Sequence, residues 1–224
     1  MLKPKRKITR KEIQVDPMLE TMGNVQKHFE THKQSYTRYG SGLLILIIAL
    51  VFFNNKQDTA QLEANAALGR AMIVWESKDW DNAEFQFELL TDEFGHTKSG
   101  KLGNYYLGLI YMQKGNKETA LKALNEFVSK NDYPMLESNA RIQLAEIYKS
   151  NNDLANAIKH LRQVDKIKCS SSQKHSAKIY LAELLLDSEK TDEAEEIVKK
   201  ILAEDDVSDF NKNRAQQIFG MITG

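Results

Sequence analysis

The chain has 224 residues, and its 31 basic and 31 acidic side chains give a formal net charge of zero. A general nucleic-acid-binding protein would carry a clear positive excess, so the composition disfavours that class. The balance conceals a division, because residues 1–55 carry nine Lys or Arg against four acids, a net charge of +5, and residues 56–224 carry −5. The single cysteine, Cys169, excludes an internal disulfide.

Residues 1–40 are predicted to form a basic tail followed by an amphipathic helix. The cluster from Lys3 to Lys7 could contact anionic lipid headgroups or ribosomal RNA, and it could equally stay solvated. From Pro17 onward apolar residues recur at intervals of three, four or seven, which indicates a helix with a thin apolar stripe. His28 and His32 share a face of that helix, but no third metal ligand lies nearby in the sequence.

The next segment, residues 41–55, is predicted to be a single transmembrane anchor. It contains the unbroken apolar run from Leu43 to Phe53, with Arg38 and Lys56 on either side. The uncharged stretch between these charges, from Tyr39 to Asn55, spans roughly 25 Å as a helix, a little less than the ~30 Å hydrocarbon core, and the flanking charges can snorkel to lengthen it. A cleaved signal peptide would place its apolar core much nearer the start of the chain.

The charge division predicts the orientation of this anchor. Basic segments beside a span are retained in the cytoplasm during insertion. The N-terminus is therefore predicted to be cytoplasmic, with residues 56–224 exported.

The exported part contains an internal repeat of 37 residues. Small residues recur at two places in each unit, twelve residues apart, and each pair of places is separated by a short polar break. Two helices joined by a tight turn approach closely, and small side chains permit that approach. The residues at these two places are Ala71, Gly108, Ala145 and Ala182, and Ala83, Ala120, Ala157 and Ala194.

The polar breaks carry turn chemistry. Gly115 and Asn152 suit a left-handed residue that ends a first helix. Asp79, Asn116 and Asp153 suit the N-caps of the second helices. The fold is predicted to be all-α, a right-handed solenoid of about four helix-turn-helix units.

A further half-unit, residues 210–222, is predicted to be the C-terminal capping helix. It places Phe219 at the next 37-residue step. Its polar residues would provide the wet outer face that a solenoid end requires. These residues are Asn211, Lys212, Asn213, Arg214, Gln216 and Gln217.

These units resemble the tetratricopeptide repeat. The resemblance rests on Leu107-Gly108-x-x-Tyr111, followed by Gly115, Ala120, Leu124 and Phe127, and on Leu144-Ala145-x-x-Tyr148 with Ala157. The usual period of that family is 34 residues, so each unit here is longer. The resemblance implies a protein-binding domain whose concave side is lined by the first helices.

The register of the repeat then gives a candidate partner-binding groove over units one and two. Its residues are apolar or aromatic and would suit an extended or helical segment of another protein. The alternative is that the same side chains pack on neighbouring helices or against the end of the anchor. The groove residues are Leu68, Met72, Trp75, Leu102, Tyr105, Leu109 and Met112.

The sequence does not predict an enzyme. His96, His160 and His175 fall in different connections or helices, and no phosphate loop, nucleophile elbow or paired metal-ligand motif is present. Cys169 lies in a Ser-rich connection near Lys166 and Lys168, where a loop cysteine without reactivity is the simpler interpretation. No catalytic, cofactor or metal site and no small-molecule substrate are therefore expected.

The order of basic helix, anchor and exported repeats resembles the YfgM-like family of bacterial inner-membrane proteins. The resemblance is carried by the helix through residues 29–33, by the apolar run beginning at Gly42, and by the repeats. It implies a single-pass adaptor at the Sec translocon, with translocon subunits and a membrane-tethered periplasmic chaperone such as PpiD as partners. Two alternatives are an envelope scaffold for division, cell-wall or outer-membrane assembly, and a cytosol-facing repeat protein of an organelle.

Overall fold

The computed structural model describes residues 17–130 and 133–224, and over these residues its regular secondary structure is helical. The predicted basic tail, residues 1–16, lies outside the described residues. The helices are α1 (Pro17–Glu76), α2 (Trp80–Phe94), α3 (Lys98–Gln113), α4 (Lys117–Lys130), α5 (Pro134–Ser150), α6 (Leu154–Val164), α7 (Ser171–Asp187), α8 (Thr191–Ala203) and α9 (Asp209–Thr223).

The chain divides into two compact units, Met1–Lys56 and Gln57–Gly224. In the first unit the described backbone belongs to α1, and the predicted anchor, residues 41–55, falls in this helix. The side chains of residue 41 and residues 49–55 lie outside the described residues. A search of the described part of the chain finds no helix with an apolar stretch long enough to cross a membrane.

The second unit consists of four helix pairs and a closing helix. The last part of α1 pairs with α2, and then α3 with α4, α5 with α6 and α7 with α8. The seven repeated alanines are buried, each 0% exposed, and Gly108 is buried too. These buried small residues confirm the predicted helix-turn-helix repeat.

The turn inside each pair is the same in all four units. Residues Lys78, Gly115, Asn152 and Glu189 are spaced 37 apart and have φ angles of 60°, 78°, 60° and 59°. The left-handed conformations predicted for Gly115 and Asn152 are confirmed. Lys78 and Glu189 adopt the same backbone although their side chains make it costly.

The predicted N-caps are also confirmed. Asp79 accepts a hydrogen bond from the backbone N–H of Asn82 at 3.3 Å, and Asp153 accepts one from that of Asn156 at 3.1 Å. Asn116 caps α4 through the N–H of Thr119 at 3.2 Å. The fourth unit differs, because Lys190 stands at the cap of α8 and makes no side-chain cap bond.

The core runs through the solenoid as successive clusters of buried apolar side chains. The first lies among α1, α2 and α3, the second among α3, α4 and α5, and the third extends from α5 to α9. The large residues of the second helices anchor it and are no more than 2% exposed, which fixes each pair against the next. These residues are Phe87, Leu90, Leu124, Phe127, Leu161, Val164, Val198 and Ile201.

Helix α9 closes the solenoid as predicted, with one exception. Ala215 and Ile218 are 0% exposed, and the predicted polar face from Lys212 to Gln217 is exposed. The prediction that Asn211 belongs to this wet face is wrong, because Asn211 is 2% exposed. The side-chain Oδ1 of Asn211 accepts a hydrogen bond from Ser176 Oγ at 3.3 Å, and its Nδ2 donates one to the carbonyl oxygen of Ser172 at 3.5 Å. The buried amide therefore has hydrogen-bond partners for both of its polar atoms.

Candidate protein-binding surface

The groove predicted from the sequence belongs to a repeating surface on the first helices. We define the first-helix surface as residues 65, 68, 72 and 75 of α1 and the residues 37, 74 and 111 positions later. The four units present different chemistry at these places.

In unit one, Leu68, Met72 and Trp75 are half-buried and pack against the cluster that contains Phe87. The ring of Trp75 meets the ring of Trp80 edge-on, with centroids 5.0 Å apart, and that of Tyr106 at 5.4 Å. Edge-to-face contacts of this kind fix the orientation of an aromatic ring. Trp75 is therefore a rigid side chain with one partly open face.

In unit two, Leu102, Leu109 and Met112 are half-buried against the second core cluster. Tyr105 is only 7% exposed, and its ring lies 5.2 Å from the ring of Phe127. Burial raises the pKa of Tyr105, and the nearby Asn139 side chain acts in the opposite direction. Six of the seven predicted groove residues thus present partial surface, and Tyr105 supports them from below.

Unit three changes the surface from apolar to polar and charged, and unit four is mixed. Glu146 and Lys149 are exposed, and Lys149 lies 3.0 Å from the carboxylate of Asp187. The same ammonium lies 5.7 Å from the centroid of the Tyr180 ring. Burial, together with the neighbouring carboxylates of Glu146, Glu183 and Asp187, raises the pKa of Tyr180 to about 12.

Polar bonds that sequence reasoning missed join neighbouring first helices. Gln61 Nε2 donates to Ser99 Oγ at 2.9 Å, while Gln61 Oε1 accepts from the backbone N–H of Lys98 at 3.0 Å. Gln173 Nε2 donates to Asn139 Oδ1 at 3.1 Å in the same manner. The bonded side chains lie 38 and 34 residues apart, close to one repeat, and the bonds tie each first helix to the next one.

The histidines lie apart from this surface. His96 is exposed, while His175 is 3% exposed and its Nε2 lies 2.7 Å from Glu204 Oε2, with Asp206 nearby. Within the described residues His175 Nδ1 has no hydrogen-bond partner. A metal at Nε2 would place the proton on this buried Nδ1, leaving a donor without an acceptor, so the geometry favours a hydrogen bond from Nε2–H to Glu204.

His160 is buried and its ring stacks on the ring of Tyr148, with ring centroids 5.4 Å apart. Burial lowers the pKa of His160 to about 4, and the positive charges of Arg141 and Lys159 act in the same direction. The imidazole is therefore neutral at pH 7 and acts as a flat packing group.

Comparison with known proteins agrees with this architecture. The sequence profile of the tetratricopeptide repeat-like domain matches residues 27–166. No curated protein matches the sequence.

Solved structures of low sequence identity share the fold. TPR-like repeats of a kinesin light chain from Podosopora anserina are 15% identical, with a TM-score of 0.54 over 71% of this chain and 85% of that one. The crystal structure of MamA protein is 18% identical, with a TM-score of 0.56 over 71% and 80%. A tetratricopeptide repeat protein from Parabacteroides merdae is 15% identical, with a TM-score of 0.56 over 70% and 60%. Since the family profile covers more than half of the residues, the chain belongs to the tetratricopeptide repeat-like domain family.

Proposed function

We propose that this chain is a membrane-anchored adaptor that binds apolar segments of other proteins on the first-helix surface of units one and two. The fold and the family indicate a role in protein–protein interaction. The observation that carries the proposal is the contrast along the first-helix surface, which is mostly apolar in units one and two, polar and charged in unit three, and mixed in unit four.

The binding residues suit a short apolar segment. Met72, Leu109 and Met112 are half-buried, so each offers some surface without further unfolding. Methionine side chains adapt to differently shaped partners, while Trp75 supplies a rigid aromatic contact. A helix or extended strand of a partner would contact several of these side chains at once.

The anchor is supported by exposed apolar surface in α1. The side chains from Leu43 to Ile48 are 50–66% exposed, and six consecutive residues cover the whole circumference of a helix. Leaving such a surface in water costs roughly 25 cal/mol for each Å². Lipid would cover it, and the basic excess of residues 1–55 supports an N-terminus in the cytoplasm.

The Sec translocon and a membrane-tethered periplasmic chaperone are the partners we favour. The support is the similarity of the domain order to the YfgM-like family. An exported repeat domain close to the bilayer would meet apolar segments as they leave a translocon.

The test is co-purification from alkaline-washed membranes solubilised in mild detergent. The informative variant combines Met72→Glu with Leu109→Glu. Units three and four carry Glu146 and Glu183 at the same places, so the repeat accepts Glu there. Recovery of translocon and chaperone subunits should fall at least tenfold, while the far-ultraviolet helical signal and the unfolding midpoint stay near those of the unchanged chain.

The matched control combines Lys122→Glu with Lys159→Glu, two exposed side chains on second helices. This control makes the net charge more negative by four units, against two units for the test variant, and it should still recover partners normally because neither side chain lies on the first-helix surface. Recovery of envelope-assembly proteins in place of translocon subunits would contradict the Sec assignment. Loss of the chain from the washed membranes would contradict the anchor.

A further inference from the structure

The outer side of α2 carries two exposed apolar side chains. Phe85 is 59% exposed and Leu89 is 40% exposed, while the opposite side of the same helix is buried at Ala83, Phe87 and Leu90. The two exposed residues are four positions apart, so they are neighbours along the helix surface. We define the α2 face as these two residues and the exposed acids beside them. The acids are Asp81, Glu88, Asp92 and Glu93.

The repeat shows that the fold does not require apolar residues on this face. The residues 37 positions after Phe85 and Leu89 are Lys122 and Glu126, and both are exposed. Units three and four also place polar or charged side chains there. The apolar pair is therefore particular to unit one, where contact with another molecule would remove it from water. The residues in units three and four are Lys159, Gln163, Glu196 and Lys200.

The charge of α2 is also particular to unit one. This helix contains five acidic residues and no lysine or arginine, so its side chains carry a net charge of −5. Helix α4 has three basic and two acidic residues, and α6 has two basic and no acidic ones. Helix α8 has four acids, but they are accompanied by two lysines. The apolar pair thus lies on the most acidic of the four second helices.

Only part of this charge serves the folded chain. Glu84 lies 2.5 Å from the ammonium of Lys114, which neutralises it. Asp92 and Glu93 are exposed and form no ion pair within the described part of the chain. Both lie in the last turn of α2, where the helix dipole disfavours negative charge. Their carboxylates weaken the helix that carries them and are accessible to a basic partner.

The same charge selects among the molecules that could cover Phe85 and Leu89. Carboxylates repel the anionic headgroups of a lipid surface, and two copies meeting through this face would bring like charges together. A helix that carries apolar residues on one side, with lysine or arginine beside them, matches both the apolar pair and the acids.

We propose that the α2 face docks a basic amphipathic helix of another protein. Apolar side chains of that helix cover Phe85 and Leu89, and its lysine or arginine side chains lie opposite Glu88 and Asp92. The α2 face belongs to a second helix, so it is separate from the first-helix surface. The proposal stands whether or not the first-helix surface binds a partner.

Fluorescence anisotropy tests the proposal on the full chain in zwitterionic detergent, with micelles alone as the blank. The probe is a labelled synthetic helix of leucine and lysine about as long as α2, and the comparison probe has glutamate in place of lysine. The lysine probe should bind the chain about tenfold or more tightly than the glutamate probe, and its affinity should fall as salt is added. Equal affinity for the two probes, or no binding beyond that of micelles, would overturn the proposal.

The apolar pair is tested with residues taken from unit two. Phe85→Lys with Leu89→Glu copies Lys122 and Glu126 and leaves the net charge unchanged. The dissociation constant of the lysine probe should rise about tenfold or more, because the apolar contact is lost. Unchanged binding by this variant would show that the pair is not part of the site.

The acids are tested in the same way. Asp92→Ser with Glu93→Lys introduces the residues of unit two and removes negative charge from the end of α2, so the unfolding midpoint should stay the same or rise. The dissociation constant should again rise about tenfold or more, and this loss would not come from unfolding. A variant that binds as well as the unchanged chain would contradict the charge argument.

Two control variants locate the probe. Asp205→Ser with Asp206→Lys alters the net charge by the same three units at exposed residues between α8 and α9, and it should bind normally. Met72→Glu with Leu109→Glu changes only the first-helix surface and should bind normally too. Loss of binding in either control equal to that in the α2 variants would refute a site on α2.

Photocross-linking identifies the natural occupant. A benzophenone side chain replaces Phe85 in the full chain in cell membranes, and position 122 carries the same group as the control. The segment cross-linked at position 85 should be an amphipathic helix of another protein with an excess of lysine and arginine, read by mass spectrometry. A product with lipid, with a second copy or with a segment lacking that excess would exclude the proposed partner, as would a yield no higher than the control.

Discussion

At the scale of single residues, His160 makes the solenoid sensitive to acid. Its ring is buried, its Nδ1 has no hydrogen-bond partner within the described residues, and Arg141 and Lys159 oppose its protonation. Because the pKa is lowered in the folded state to about 4, from an ordinary 6.5, the unfolded chain binds the proton more readily. Stability is then complete above about pH 6.5 and is lost as the pH falls toward 4.

We expect the free energy of unfolding to fall by about 2 kcal/mol between pH 7 and pH 5 on account of this residue. The variant His160→Ile removes the titrating group, and Ile197 shows that the same place in unit four accepts isoleucine. Urea unfolding midpoints of both proteins at the two pH values measure the difference. An equal acid-induced loss in the variant would show that other groups are responsible.

Backbone strain at Lys78 and Glu189 is a second feature at this scale. Both residues have φ near 60°, where a side chain raises the energy and glycine does not. We expect Lys78→Gly and Glu189→Gly each to stabilise the protein by about 0.5–1 kcal/mol, measured by urea unfolding. The reverse change at the equivalent site, Gly115→Lys, should destabilise it by a similar amount, and a neutral result there would contradict this explanation.

These two positions show where sequence reasoning at the residue scale ends. Gly115 and Asn152 were predictable because glycine and asparagine favour the left-handed region. Lys and Glu have no such preference, so only the 37-residue spacing could have pointed to the other two. Asn211 was missed for a related reason, since its burial depends on acceptors and donors that a distant helix supplies.

At the scale of helices, the approach of α3 to α4 depends on Gly108. A Cβ at this residue would lie 2.5 Å from both Cγ and Cδ2 of Leu124, a side chain that is 0% exposed. The equivalent residues Ala71, Ala145 and Ala182 carry a methyl group in their own units. The two helices of unit two are therefore adjusted to the missing methyl, and Leu124 fills the space.

We expect Gly108→Ala to destabilise the protein by about 1–2 kcal/mol, although alanine favours helices by about 1 kcal/mol. Gly220→Ala is the matched control, because a Cβ there meets no heavy atom within 4 Å. The control should be neutral or stabilising by up to about 1 kcal/mol. Thermal or urea unfolding of both variants decides the matter, and a Gly108→Ala protein as stable as the control would exclude the clash.

At the scale of the whole molecule, periodicity allowed the helix pairs to be predicted from sequence alone. Small residues every 37 positions, with caps and turn residues between them, are sufficient to predict which helices pair. The surface was less predictable, since the exposure of Trp75 or Tyr105 depends on which neighbouring rings and amides reach it. The partner-binding role of the seven groove residues and the membrane location of the chain are predictions that co-purification from washed membranes tests.

The identical turn in every unit also governs how such a protein can change its length. With the left-handed residue recurring at one fixed spacing, a gain or loss of 37 residues keeps each bend and each small residue in register. An insertion of another size within a pair would instead rotate small side chains away from their partner helix. The architecture therefore tolerates growth and shrinkage in whole steps, and lengths between those steps are penalised.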